Sequence, residues 1–213
     1  MMPWWPRLAV AGMIAGGWSA AQAELVDRIA AVVNGHLITV SDLAGYRTLF
    51  ASDRSQDQAV DVLIDRQLLI EEADRFAIDQ PSPSAIDQRV QDTVTRLGGE
   101  AAFRQTLERV GWTSDVLRAW IAEDLRIADF LQQRIDFFVV VPPDEVSAYY
   151  DAHADEFASV TPDQAREAVI RRLTQQRSDE KRRQFMSKLR DKAAIRVNPP
   201  SGPEESAPAQ PVH

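Results

Sequence analysis

Side chains capable of covalent or proton-transfer chemistry are few in this sequence and poorly placed for it. The 213 residues include no cysteine and three histidines, which excludes thiolate nucleophiles and zinc–thiolate sites. Of the histidines, only His36 and His153 precede the Pro-rich end of the chain. His36 follows an Asn-Gly turn, where an exposed polar residue is expected. His153-Ala154-Asp155-Glu156 brings metal-capable side chains close together, but no HExxH spacing or second histidine completes a set. A solvated helix end is the competing reading of that stretch. Glu71-Glu72 could act as paired acid–base carboxylates, or could simply face water on an amphipathic helix. There is no nucleophile-elbow serine and no Gly-rich phosphate loop. The residues therefore predict no catalytic site, no cofactor and no bound metal.

Apolar and aromatic material at predicted connections stands out instead. Trp112, Trp120, Phe137, Phe138, Tyr149 and Tyr150 could line a groove that receives extended peptide. Ordinary core packing is the other reading for each of them. Phe137 to Val141 is also the run most prone to aggregate if exposed, so it is expected to be covered.

The elements that must position these residues begin with Val26 to Leu43, VDRIAAVVNGHLITVSDL. Asn34-Gly35 between two apolar runs predicts a hairpin closed by a type I′ turn, which needs positive φ at both central positions. That turn sets Val33 opposite His36, Val32 opposite Leu37 and Ala31 opposite Ile38. Thr39 and Asp42 then form the start of a helix. A two-stranded hairpin is marginal alone, and the run Ala194 to Val197 is placed to return and pair with it. The fold expected is mainly α, a helical body with a small antiparallel hairpin joined by a C-terminal strand.

Between these ends the apolar spacing is helical. A dense stripe runs from Gln58 to Ile78, and Pro81 and Pro83 stop it. Ser82 or Ser84 caps a successor carrying Ile86, Val90, Val94 and Leu97, which ends at Gly98-Gly99. A short helix with Phe103, Leu107 and Val110 ends at a left-handed Gly111. Thr113 caps a long helix over about Ser114 to Arg134, whose stripe is Val116, Leu117, Trp120, Ile121, Leu125, Ala128 and Leu131. Phe137 to Val141 reads as an extended connection, and Asp144-Glu145 open a helix with Val146, Tyr149 and Tyr150. Thr161-Pro162-Asp163-Gln164 is a capping box opening a helix to about Lys192. That helix is polar all round in its middle, Gln175 to Arg183, so it is expected to be solvated, bent or broken there.

The first 23 residues have one basic residue, Arg7, then an apolar run and Ala21-Gln22-Ala23, a pattern for a secretory leader cut between Ala23 and Glu24. Residues 198–213 are rich in Pro, Ser and Glu and read as a disordered tail. The formal charge is −8. It is unevenly spread: residues 24–160 hold 25 acids and 12 bases, whereas 161–197 hold 5 acids and 11 bases. Docking of a basic helix on an acidic body explains this better than nucleic-acid binding, for which an exported protein has little occasion.

The order of these features resembles the SurA-type periplasmic chaperones. VDRIAAVVNGHLITVSDL is similar to their opening hairpin and helix, and LIDRQLLIEEADRFAI to their leucine-rich second helix. GGEAAFRQTLERVGWTSDVLRAWIAEDLRI is similar to their short helix, glycine and long helix. VPPDEVSAYYDAHADEF resembles the closing helix, and IRRL together with KLRDKAAIRV the C-terminal helix and returning strand. The resemblance implies one chaperone module over 24–197, made of 24–157 plus the helix and strand of 161–197. In that family one or two parvulin-type isomerase domains normally follow the tyrosine-bearing helix, whereas here only Ala158-Ser159-Val160 separate Phe157 from Thr161. The resemblance thus implies an ATP-independent periplasmic holdase for unfolded outer-membrane or exported polypeptides, without isomerase activity, nucleic acid or stable membrane insertion. An assembly factor for one specific partner is the alternative, and oligomeric state is not legible.

Overall fold

The computed structural model describes residues 27–198. The expected leader with its cleavage point, and the tail beyond Asn198, lie outside these residues. Asn34 and Gly35 have φ of 50° and 93°, the two positive values that the turn requires. They join β1 (Ile29–Val33) to β2 (His36–Thr39) in the expected register, with Val33, Val32 and Ala31 opposite His36, Leu37 and Ile38. The register shifts between Ile29 and Ala31. β3 (Ile195–Val197) returns antiparallel on the other side of β1, giving the order β2-β1-β3. Asn34 fastens this closure. Its N–H donates to the Ala194 carbonyl at 2.9 Å, and its side-chain oxygen accepts from the Ala194 N–H at 2.9 Å.

Seven helices complete this mainly helical fold. Thr39 caps α1 (Val40–Phe50) in a full capping box with Asp42. Ser55 caps α2 (Gln56–Arg75), and Ser82 caps α3 (Pro83–Arg96) with Pro83 at its first position. α4 (Glu100–Val110) ends at Gly111, whose φ of 71° is the left-handed value expected of it. Thr113 caps α5 (Ser114–Arg134). After a 3-10 turn at Asp136–Phe138 come α6 (Pro143–Ala152), a second 3-10 turn at Ala154–Phe157, and α7 (Pro162–Lys192). The connection after α5 therefore begins as a tight turn and extends only from Val139, because Asp136 and Ile135 accept backbone hydrogen bonds from Val139 and Phe138.

Apolar burial divides into three clusters. In one, the sheet packs on α2 through Ala31, Val33, Ile38, Leu63, Ile64 and Leu68, with Met186 and Leu189 from the end of α7 laid against them. In a second, α1, α3, α4 and α5 bury Leu49, Val94, Phe103, Leu107, Leu117 and Ile121. The third is an arm in which α6 and the second 3-10 turn meet the start of α7 through Val146, Phe157, Ala165, Val169 and Leu173.

α7 joins the arm to the sheet as one continuous helix of 31 residues, not broken at its polar middle. Its polar middle needs no apolar face because its cations find acceptors on the connection that it crosses. Arg177 donates to the Val140 carbonyl and to Glu145, Lys181 to the Phe138 carbonyl, and Arg182 to Asp136. Further along, Arg190 binds Asp61 and Asp65 of α2. The basic helix lies on acidic partners, as the charge distribution predicts.

Candidate functional site

α5 positions two adjoining concave surfaces. Its apolar stripe begins in the helical cluster with Leu117 and Ile121, then continues past the end of its cover: Leu125 and Leu131 are half-buried and Ala128 is exposed. The stripe is therefore buried at Leu117 and Ile121 in its first half and partly open over its second. A depression of about 380 Å³ runs between α3 and α5, with Phe50, Thr93, Arg96, Ile121 and Leu125 on its walls. A second, of about 580 Å³, lies between α5 and α7, with Ile127, Leu131, Asp136 and Arg182. Both include Asp124 and Ala128, so they form one trough along the helix. From Ile121 to Asp136 a helical rise gives it a length of about 22 Å, enough for about six residues of extended chain.

The trough ends at the 3-10 turn, where Phe137 is 79%, Phe138 61% and Val140 72% exposed. The expectation that this run is covered is therefore overturned. Its backbone carbonyls are held by Arg177 and Lys181, which fixes the turn while leaving the side chains pointing outward. The two rings meet edge to face with centroids 5.4 Å apart.

The other aromatic candidates sit elsewhere. Trp112 is only 7% exposed and belongs to the helical cluster, pressed against Gly45. Its contacts are with the core, and its ring centroid lies 5.0 Å from that of Trp120. Trp120 is half-buried, beneath the Arg66 guanidinium at 3.6 Å. Arg66 also donates to the Trp120 carbonyl at 3.0 Å, Glu123 at 2.7 Å and Asp124 at 2.9 Å. This pair separates the trough from a second cleft of about 300 Å³, lined by Leu37, Ile38, Leu63, Val116, Ala119 and Trp120 and rimmed by Asp42 and Glu123. Tyr149 stacks on His153 at 4.0 Å, and its hydroxyl accepts from Arg172 at 2.9 Å. Tyr150 leans on Phe157 and borders a shallow depression of about 230 Å³ with Val146, Pro162 and Arg166. The six candidates thus occupy three places: the helical body, the exposed turn and the arm.

The polar candidates are structural. Glu71 accepts from Asn34 at 2.7 Å and from Gln67 at 3.3 Å, and His153 Nδ1 donates to the Tyr149 carbonyl at 2.8 Å. Arg172 hydrogen-bonds Glu156 at 2.6 Å, which holds that carboxyl below its usual range and raises Arg172 in turn. Among the described residues no group of three or more His, Asp or Glu could hold a metal ion. No helix among them is long and apolar enough to cross a membrane. Spacing alone missed Phe50, Ala128, Leu131, Leu37 and Val116 as surface-lining residues. The available signal was a stripe on α5 longer than its partners could cover.

No protein-family profile matches the chain. Among curated proteins, the chaperone SurA of Alkalilimnicola ehrlichii is 26% identical over 164 residues, which are 70% of this chain and 37% of SurA. SurA of Bordetella pertussis is 27% identical over 143 residues, 61% of this chain and 27% of that protein. The chain is homologous to SurA-type chaperones over most of its length. It also spans well under half the length of these relatives. A solved chain described with the SurA-like chaperones PEB4 and Cj1289 of Campylobacter jejuni superposes with a TM-score of 0.52 at 13% identity, covering 82% of this chain and all of that one. That likeness is one of fold.

Proposed function

We propose that the chain is an ATP-independent periplasmic holdase that binds unfolded outer-membrane or other exported polypeptides and has no prolyl isomerase activity. The carrying observation is the apolar surface left open at Phe137, Phe138 and Val140, at the end of the α5 trough. Contiguous exposed apolar side chains on a soluble fold are characteristic of interaction sites. The trough sets apolar side chains such as Phe50, Leu125 and Leu131 beside charged ones such as Arg89, Asp92 and Arg182, a mixed surface that suits extended segments of varied sequence. Homology to SurA-type chaperones supports the same reading. The only room for an inserted isomerase domain between the arm's 3-10 turn and α7 is the stretch 158–161.

In this reading residues 1–23 are a leader cleaved before Glu24, and 24–197 are the chaperone module. Phe137 and Phe138 make first contact with the client, with Trp120, Tyr149 and Tyr150 on secondary surfaces. Trp112 supports Trp120 from the core. The test is dilution of a denatured outer-membrane barrel protein into buffer with and without residues 24–213, followed by light scattering. Suppression near equimolar amounts, with no acceleration of proline isomerisation in a peptide, is the expected result. Absence of suppression overturns the reading and favours a factor dedicated to one partner.

A further inference from the structure

The cleft beside β2 borders a free strand edge. In a hairpin with a two-residue turn, the residues flanking the turn exchange both backbone hydrogen bonds, and the pairs alternate from there. Val33 and His36 flank Asn34-Gly35, and Ala31 and Ile38 face each other two residues on. Leu37, opposite Val32, therefore turns its N–H and C=O away from β1. β2 is the outer strand of the sheet, so no strand among the described residues meets those groups. The next outward N–H, that of Thr39, is already taken by the Asp42 carboxylate at 2.9 Å. Among the described residues Leu37 is left as an open donor–acceptor pair, and its side chain is 57% exposed.

Leu37 itself lines the cleft whose apolar floor is Leu63, Val116, Ala119 and Trp120, with Asp42 and Glu123 on the rim against the single cation Arg66. Residues 24–160, which make up these walls, carry 25 acids against 12 bases. We propose that this cleft takes a short extended segment of an unfolded client as an added strand on β2. The segment closes two backbone hydrogen bonds with Leu37, sets one apolar side chain on the Trp120 floor, and turns Lys or Arg side chains toward the rim. This rests on the holdase reading and specifies what is gripped: a β-prone run in which apolar and basic residues alternate.

The test uses residues 24–213 and two fluorescent octapeptides, one alternating valine with lysine and one alternating valine with glutamate. The lysine peptide is expected to bind about ten-fold tighter, and its binding to slow hydrogen exchange at the Leu37 amide. Leu37→Pro removes the donor at an edge position where proline is tolerated, and should weaken binding about five-fold relative to Leu37→Ala, which keeps it. Unaltered Leu37 exchange on peptide binding, or tighter binding of the glutamate peptide, overturns the proposal. So does slowing of Leu37 exchange by self-association without peptide, which would assign the edge to a second copy. Wild-type suppression of barrel-protein aggregation is read in parallel. If suppression persists without Leu37 protection, the docked strand falls and the holdase stands. If suppression is absent, the holdase falls.

Discussion

Gly45 has no room for a side chain. A Cβ built there would lie 2.1 Å from Trp112 Cε2, so α1 and the indole touch backbone to ring. Gly45→Ala should cost about 1–3 kcal/mol by overpacking, measured as a lower urea midpoint with an unchanged slope. Glu156 offers a second test at this scale. Its carboxyl is held below the usual range by the hydrogen bond from Arg172, so the contribution to the arm is complete above the unfolded value, about 4.3. It is lost as pH falls through the depressed folded value. The methyl signals of Val169 and Leu173 should shift on acidification below about pH 4, and Glu156→Gln should abolish that step. Sequence alone gave Asn34 its turn conformation, since Asn-Gly has one strong local reading. Its grip on Ala194, 160 residues away, has no local signature.

α5 shows why an element can be placed correctly and still be misread. Its boundaries follow from Thr113 and the spacing of apolar residues, but its two ends bury different faces. Leu117 packs toward α1, α3 and α4, whereas Phe130 points about 140° away around the helix. There it joins Phe76 of the α2 terminus and Phe185 of α7, with ring centroids 5.8 Å apart in each pair. A single stripe cannot describe such a helix, so Phe130 escapes notice while Ala128, a member of the stripe, stands exposed. Phe130→Ala should cost about 3–5 kcal/mol, detected in chemical denaturation. By contrast, Phe137→Ser with Phe138→Ser should leave stability within about 0.5 kcal/mol, as expected of exposed positions, while weakening suppression of client aggregation several-fold. The continuity of α7 through its solvated middle was not legible for a related reason: helical periodicity measures apolar faces, and this helix is held by arginines.

The molecule as a whole is closed by its last strand. The hairpin register, the helix caps at Thr39, Thr113 and Thr161, and the pairing of β3 with β1 were legible because each depends on short-range stereochemistry or on one unpaired apolar partner. The trough was not, because it depends on where α3 and α7 stop covering α5. Deleting Ile195–Val197 should lower the melting temperature by several degrees, since the β1–β3 ladder and the half-buried Ile195 are both removed while Ala194, held by Asn34, is kept. Calorimetry would measure it, and an unchanged transition would mean that the hairpin stands on α2 alone.

That closure also sets a timetable. A chain synthesised from its N-terminus presents β1 and β2 first, yet the strand that completes their sheet is 155 or more residues later in sequence. Non-local pairing of this kind is slow, and a lone hairpin is marginal while it waits. The hairpin, made before the seven helices, is therefore among the last elements to reach its final state, and β1 spends the interval with one side unpaired.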